Sequence, residues 1–312
     1  MAVLTKALEV SDLWVEYRGL HDKPVQALRG VSLSIEKREV VAVMGPNGSG
    51  KSTLLRSVIG LEKPSKGFVR LLGTEPQDAL GKIAYLPEAD CLAPYMTGLE
   101  NAVFLAGLTG LGRGYLDKAV SVAEELGLSR LDLKRLVKKY SMGMKRLLAI
   151  SLLLAMDREL YIMDEPTAGL DPVKRPSVLE AFHAAKSNGA TVVFTTHIGV
   201  DAEKADKVVF MHSGRVVDYA RPVELVEKYA GRLGVLVARG LGARRAVGEL
   251  KLHGFTAEEV AEGVRVVAPL DKLGDAEELL KRLMPEATLV REPPSLEDAF
   301  RAAVVVEGGE GR

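Results

Sequence analysis

A glycine-rich segment early in the chain has the residue types of a phosphate-binding loop. It runs Gly45, Pro46, Asn47, Gly48, Ser49, Gly50, Lys51, Ser52, Thr53. The glycines allow backbone N–H groups to turn inward around phosphate oxygens, and the N-terminus of a following helix adds partial positive charge. Lys51 can reach the β- and γ-phosphates, and the Ser52 hydroxyl can ligate Mg²⁺. The eight-residue pattern G-x-x-x-x-G-K-S favours a nucleotide site over a glycine turn with a surface lysine.

Two adjacent carboxylates, Asp164 and Glu165, follow the short apolar segment LYIM at 160–163. At the carboxyl end of a strand in a parallel sheet, such residues lie beside the phosphate loop. We predict that Asp164 holds Mg²⁺, directly or through water, and that Glu165 acts on the attacking water. Alone, the pair could equally be a solvated acidic turn, and it is the phosphate loop upstream that favours the catalytic interpretation.

A third segment, Ser141 to Arg146, lies at the start of a long apolar helix. Ser141 is a good N-cap residue, and Gly143 would allow a partner's phosphate to approach the helix end closely. On this segment alone, a capped core helix with no role in binding is the simpler interpretation.

The elements around these residues predict an α/β fold. Two strands, 8–17 and 25–35, form an antiparallel layer, and continuous apolar strands alternate with helices after it. This alternation indicates a parallel sheet covered on both faces, so the whole is a mixed sheet with a helical subdomain at about 88–157. Thr97 and Glu100 form a capping box at the start of one of its helices. Apolar strands are predicted at 39–44, 67–72, 83–86, 160–163 and 191–196, and a further helix at 173–187.

The sequence changes in character near residue 215, and this change indicates that a second domain follows. We predict a first domain at 1–220, a helical linker at 221–231, a small α/β domain at 232–306 and a disordered tail at 307–312. For the small domain, a stabilising appendage and a regulatory role remain equally open.

Composition excludes several classes of protein. The 312 residues include 42 basic and 42 acidic side chains and 5% aromatics, which argues against a general binder of nucleic acid or anionic membranes. The single cysteine, Cys91, excludes an internal disulfide and a multi-cysteine metal site. The longest apolar run, 147–156, is about half a membrane span, and the N-terminus lacks a signal core. We therefore expect a soluble, cytoplasmic, two-domain protein.

Taken together and in order, these segments resemble the ATP-binding subunit of an ABC transporter. GPNGSGKST matches the first Walker motif, and YIMDEPTAGLD matches the second Walker motif and the D-loop through Asp171. YSMGMKR matches the signature loop, and TTH places His197 at the switch histidine. Tyr17, about 28 residues before Gly45, lies where the family stacks an aromatic ring on adenine. The resemblance covers residues 3 to about 220.

YLPE and the terminal PPSLEDAFRAA resemble one branch, the drug, polysaccharide and sodium exporters of the daunorubicin-resistance type.

The resemblance implies an ATPase that powers export through a separate transmembrane permease, at the cytoplasmic face of the membrane. Two protomers, as a homodimer, would sandwich two ATP molecules with Mg²⁺, and no nucleic acid would be involved. Each site would join the Lys51, Ser52, Asp164, Glu165 and His197 of one protomer to the Ser141 and Gly143 of the other. The permease would dock near Leu92, Pro94, Tyr95 and Met96, although an apolar patch there could instead be core.

Two other classes of function remain. A soluble ATPase acting on nucleic acid or the ribosome would need tandem ATPase domains or a long coiled coil, and the sequence has neither. A regulatory ATPase without a transport role is disfavoured by Glu165 and His197, which the resemblance places in catalysis.

The sequence departs from the family pattern at two places. The signature loop has Tyr140, Met142 and Met144 where Leu, Gly and Gln are usual, and the Q-loop has Glu88 in place of Gln. A carboxylate at position 88 can accept a hydrogen bond from an Mg²⁺-bound water but cannot donate one. We predict that Glu88 lies near the metal; the alternative is a solvated loop residue.

Overall fold

The structure is a computed structural model that describes residues 6–17, 24–112, 114–261 and 263–309. The chain divides between Arg221 and Pro222 into two compact units. The strands of the first unit are β1 (Lys6–Tyr17), β2 (Val25–Glu36), β3 (Val40–Met44), β4 (Lys66–Leu71), β5 (Ile83–Leu86), β6 (Leu160–Met163), β7 (Thr191–Thr196), β8 (Lys207–His212) and β9 (Arg215–Ala220). Its helices are α1 (Lys51–Val58), α2 (Pro76–Ala79), α3 (Gly98–Thr109), α4 (Gly114–Glu125), α5 (Arg130–Leu133), α6 (Met142–Leu154), α7 (Arg175–Ser187) and α8 (Gly199–Ala202).

A six-stranded sheet positions the chemistry. Its order is β5-β6-β7-β3-β8-β9, in which the first five strands are parallel and β9 is antiparallel. Every residue of β3, β6 and β7 is buried, because both faces of the sheet are covered. Met44 pairs with Thr196, and Met163 with Phe194, so β3, β6 and β7 end at the same edge.

The antiparallel layer packs on one face of this sheet. It has the order β2-β1-β4, and its core residues form one cluster with α1 and the parallel strands, including Val10, Leu28, Val43, Leu54 and Ile162. These observations confirm the predicted α/β fold with a mixed sheet and an antiparallel layer. The sequence pattern did not predict β8. The change of sequence character near residue 215 falls where β9 begins. β9 is a half-buried edge strand, so its residues lack the continuous apolar character of the central strands.

Residues between β5 and β6 are mostly helical, as predicted. α3 begins at the expected capping box, in which Thr97 Oγ1 accepts from the Glu100 N–H at 3.1 Å and Glu100 Oε2 accepts from the Thr97 N–H at 2.7 Å. Tyr140, which stands where the family has Leu, is buried and donates its hydroxyl to the Asp132 carbonyl at 2.5 Å. The ring therefore fills an apolar position, and its polar end is satisfied. Single turns of 3₁₀ helix occur at Leu80–Lys82 and Val137–Lys139.

The second unit is a small α/β domain. Its elements are α9 (Pro222–Ala230), β10 (Leu233–Arg239), α10 (Ala243–Leu252), β11 (Thr256–Val260), β12 (Gly263–Pro269), α11 (Leu273–Leu283), β13 (Thr288–Glu292) and α12 (Leu296–Gly309). A 3₁₀ turn, Leu270–Lys272, precedes α11. The sheet order β11-β12-β10-β13, antiparallel throughout, gives the split βαβ arrangement. Leu236, Ala246, Val266 and Leu280 belong to the core shared with α10 and α11.

The helix expected in the linker at 221–231 is present as α9, and it packs against α12 inside the second unit. α12 continues to Gly309, into the tail expected at 307–312, and the remaining residues 310–312 lie outside the described chain. Among the described helices, none has the combination of length and apolar character needed to cross a membrane.

An ion pair fixes α12 to the sheet of the second unit. Arg265 of β12 donates to both carboxylate oxygens of Asp298, at 3.0 and 2.6 Å, and the Ser295 N–H donates to Asp298 Oδ2 at 2.7 Å. Burial acts to raise the pKa of Asp298, but the bonds from Arg265 and Ser295 outweigh it and hold that pKa below its usual value.

We expect Asp298→Asn to destabilise the second unit by roughly 2–3 kcal/mol at neutral pH, because Arg265 loses a charged partner. A lowered pKa gives stability that is complete above the ordinary aspartate pKa and is lost as the pH falls through the folded value. The protection of the β12 amides, taken relative to the intrinsic exchange rate at each pH, should therefore fall on acidification in the parent protein and depend less on acid in the variant. Glu286→Gln, which changes an exposed side chain of the same unit, is the control. Equal exchange in the parent and D298N would contradict this role.

Candidate nucleotide-binding site

The glycine-rich segment forms a tight loop between β3 and α1. Gly50 precedes α1 with a φ of 103°. A Cβ there would lie 2.7 Å from the Ala27 carbonyl oxygen, and a Cβ at Gly45 would lie 2.2 Å from the Met211 carbonyl oxygen. Only glycine fits at these two positions, because neighbouring backbone approaches so closely.

Lys51 extends back into the curve of this loop. Its side chain is buried, and Nζ donates to the Gly45 carbonyl at 2.7 Å and the Pro46 carbonyl at 3.2 Å. The same amine lies 3.5 Å from Glu165 Oε1. The loop therefore holds a cationic group at the place where its backbone turns inward.

Beside the loop lies a cavity of about 650 Å³. It brings together ten of the residues predicted from sequence, namely Tyr17, Asn47, Gly48, Gly50, Lys51, Ser52, Thr53, Glu88, Glu165 and His197. The Tyr17 hydroxyl lies 3.4 Å from Thr53 Oγ1, so the Tyr17 ring, on β1, lies beside the end of the phosphate loop. Gly45, Pro46, Ser49 and Asp164 do not line this cavity. Residues that sequence reasoning did not select also line it, among them Gln26, Arg29 and Ser213.

The two carboxylates have different surroundings. Glu165 is buried, and its Oε2 accepts from His197 Nδ1 at 3.0 Å. Asp164 is buried one residue earlier, and its Oδ1 accepts from the Thr195 hydroxyl at 2.6 Å. Thr195 Oγ1 in turn accepts from the Glu165 N–H at 2.8 Å. One hydroxyl on β7 thus fixes both the side chain of Asp164 and the backbone of Glu165.

Thr195 was missed from the sequence. The available signal was a pair of threonines at the end of an otherwise apolar, fully buried strand, just before His197. Arg146 was missed as well. Its guanidinium donates to the backbone carbonyls of Asp164 and Glu165.

The chemistry of the donors fits a phosphate group with Mg²⁺. Ser49 Oγ is buried and, within the described residues, has no hydrogen-bond partner, so the loop holds an unused polar atom. Ser52, Glu88 and Asp164 offer hydroxyl and carboxylate oxygens, and Mg²⁺ commonly combines one or two carboxylates with substrate phosphates.

The signature residues do not join this cavity within one chain. Ser141 caps α6, and its Oγ accepts from the Met144 N–H at 3.2 Å. A Cβ on Gly143 would lie 3.5 Å from the Gly169 carbonyl oxygen, and Asp171 Oδ1 accepts from the Val173 N–H at 2.9 Å. Ser141 and Gly143 therefore lie near the loop that follows Glu165 and do not line the nucleotide cavity.

A phosphate loop between β3 and α1, with strand-end carboxylates beside it, defines a P-loop nucleotide hydrolase. Residues 28–168 match the family described as ABC transporter. The chain is 33% identical over 208 residues to the ABC-type transporter ATP-binding protein EcsA of Bacillus subtilis, covering 65% of this chain and 84% of that protein. The chain belongs to the ABC transporter ATP-binding family, and it is an ATPase.

Other similarities agree with this family. The chain is 29% identical over 303 residues to the Nod factor export ATP-binding protein I of Rhizobium etli, covering 94% of this chain and 92% of that protein. It is 33% identical over 210 residues to the linearmycin resistance ATP-binding protein LnrL of Bacillus subtilis, covering 65% and 67%. A solved ATP-binding subunit of an ABC transporter has 30% identity and a TM-score of 0.64, covering 72% of this chain and 93% of that one. A dimeric ATP-binding cassette bound to ADP and Pi, 24% identical with a TM-score of 0.62, shares the fold over 69% of this chain and 98% of that one.

We expect Lys51→Ala to weaken ATP binding about 10- to 100-fold. The lost contact is a charge-assisted bond to phosphate, worth roughly 1.5–3 kcal/mol. Calorimetry would measure the affinity, with the exposed Lys63→Ala as the matched control. An unchanged ATP affinity for K51A would contradict the assignment of the phosphate loop.

Proposed function

We propose that this protein is the ATP-hydrolysing subunit that powers export of a substrate through a separate transmembrane permease. The observation that carries the proposal is the convergence of Lys51, Glu165 and His197 in one cavity beside the phosphate loop. Relatives named for Nod factor export and linearmycin resistance support the export direction, and the first of them matches along nearly the whole chain.

In this proposal, each residue of the cavity has a distinct role. The loop N–H groups and Lys51 bind the β- and γ-phosphates of ATP, and Ser49 Oγ adds a further polar contact. Glu165 takes a proton from the attacking water, and His197 orients the Glu165 carboxylate. Catalysis is then mainly positioning and neutralisation of charge on the phosphates.

Ser52, Asp164 and Glu88 would hold Mg²⁺, which supplies positive charge to the phosphate oxygens. Their oxygen atoms are the ligand type that Mg²⁺ prefers. Glu88 is exposed and lines the same cavity as Ser52. Asp164 is buried, does not line that cavity and is fixed by Thr195. Tyr17, beside the end of the loop, would stack on the adenine ring.

Two protomers would complete each site. Ser141, Gly143 and Asp171 lie outside the nucleotide cavity of their own chain, so their predicted contact with ATP requires a second copy. Exposed apolar side chains lie next to two of them, since Met142 is 80% and Val173 is 82% exposed. A homodimer that sandwiches ATP would cover this apolar surface.

The permease would dock on the helical part of the first unit. Tyr95 follows the Q-loop and is 78% exposed, and α3 exposes Phe104 and Leu108. Such an apolar surface suits a protein partner. Docking there would attach the chain to the cytoplasmic face of the membrane. Membranes that contain a candidate permease should retain the chain after a salt wash, and retention by membranes without it would contradict this attachment.

We expect Glu165→Gln to lower ATP turnover by at least about 100-fold, because the variant lacks the general base. ATP affinity should persist, since the phosphate contacts are unchanged. The variant should also accumulate as an ATP-bound dimer, visible by light scattering as a doubled mass with ATP and Mg²⁺ but not with ADP. Glu180→Gln, an exposed change on α7, is the matched control. Turnover at the parental rate in E165Q would refute the assignment.

Glu88→Gln tests the metal role of the Q-loop. A negative charge there is favourable beside Mg²⁺ and unfavourable beside bare phosphate oxygens. The ratio of ATP affinities with and without Mg²⁺ should therefore fall in E88Q, while some turnover remains because Gln can still accept from a metal-bound water. Glu180→Gln removes a negative charge from the exposed face of α7, outside the nucleotide cavity, and serves as the control. The same ratio in E88Q and the parent would mean that Glu88 does not act through the metal.

A further inference from the structure

Arg146, on the second turn of α6, aims its guanidinium at the backbone of the Q-loop. Its Nη1 donates to the Pro87 carbonyl at 2.7 Å and to the Glu88 carbonyl at 3.4 Å. The preceding residue, Lys145, pairs with Asp90 at 2.7 Å. Two adjacent side chains of one helix therefore hold successive parts of the Q-loop.

The same guanidinium also bonds to the turn that carries Glu165. Nη2 donates to the Glu165 carbonyl at 2.9 Å and to the Asp164 carbonyl, and Nε donates to the Pro166 carbonyl at 3.3 Å. Three consecutive carbonyls around the catalytic carboxylate thus share one donor group. The rigid, planar fork of arginine can reach them together with the Q-loop carbonyls.

Carbonyl oxygens are the hydrogen-bond partners of the Arg146 guanidinium. The group is partly buried, and burial lowers its pKa from the usual arginine value, against the attraction of the nearby carboxylates. Placing a cation in such a site is unfavourable unless the surrounding dipoles compensate it. The five carbonyl contacts supply that compensation and make the position of the guanidinium specific.

The turn at Glu165 needs such support. Glu165 has a φ of 46°, in the left-handed region that is unfavourable for a residue with a Cβ. A conformation of this kind persists only where the surroundings fix it. Thr195 fixes the N–H of Glu165, and Arg146 fixes its carbonyl. The two contacts hold opposite ends of the same residue.

We propose that Arg146 is a positioning residue for ATP hydrolysis: it holds the left-handed turn of Glu165 so that the carboxylate stays between Lys51 and His197, and it ties that turn to the Q-loop. This inference rests on the proposed role of Glu165. Arg146 does not line the nucleotide cavity, so its effect reaches the reaction only through the backbone that it holds.

The test compares Arg146→Lys and Arg146→Met with the parent protein in full-length form. Lysine keeps the positive charge, but its three N–H donors are all on one nitrogen. It therefore cannot bond to both groups of carbonyls as the planar guanidinium does. We expect kcat to fall about 10- to 100-fold in R146K and at least as far in R146M, as a displaced catalytic group would cause. ATP affinity should be unchanged in R146K.

Arg158 provides matched controls, because its Nη1 also donates to a backbone carbonyl, that of Gly81, away from the nucleotide cavity. R158K and R158M should keep the parental kcat. A parental kcat in R146K would overturn the proposal. So would equal losses of kcat and ATP affinity accompanied by a lower melting temperature, because these would indicate a general structural role. R146K retains the charge and keeps the test usable if R146M fails to fold.

A double variant shows whether Arg146 acts through Glu165. In the E165Q background, R146K should hardly change the residual rate, because the group that it positions is already disabled. A full additional loss would contradict the proposal. E165Q alone separates the two hypotheses, since parental turnover in E165Q would refute the role of Glu165 itself.

Discussion

The carboxylate of Glu165 contacts the Lys51 amine at 3.5 Å and the His197 ring at 3.0 Å, and the rest of the site depends on that arrangement. The three residues follow β3, β6 and β7, which are widely separated in sequence. They meet because these strands are parallel, paired in register and end at one edge of the sheet. Helices and the antiparallel layer cover both faces, so the strands themselves are apolar and the polar groups are confined to their ends.

Local patterns predicted the parts of the site that depend on local chemistry. The phosphate loop, the carboxylates after β6 and the capping box at Thr97 each show in a few consecutive residues. Thr195 has only a weak local signal, the pair of threonines that ends a buried strand, and Arg146 has none, because the partners of both residues lie far away in sequence. The same limit applies to β9, whose place at the sheet edge depends on pairing with β8 rather than on its own half-buried pattern.

In the second unit, the sequence pattern predicted the type of fold but not the order of the strands. Its alternating segments predicted a small α/β domain, and the structure has four strands and flanking helices there. The order of the strands was not predictable, because it depends on β12 pairing with both β10 and β11. The Arg265–Asp298 pair joins β12 to α12, and no local pattern could predict this contact between distant segments.

The two side chains that hold the Q-loop differ in how they respond to dissolved ions. Lys145 and Asp90 form a partly exposed pair of opposite charges, and at physiological ionic strength, with a Debye length of about 8 Å, mobile ions weaken such a pair. Arg146 instead contacts carbonyl dipoles from a partly buried position, where dissolved ions screen interactions much less. Rising ionic strength should therefore weaken the attachment of the Q-loop at Asp90 more than its attachment at Pro87.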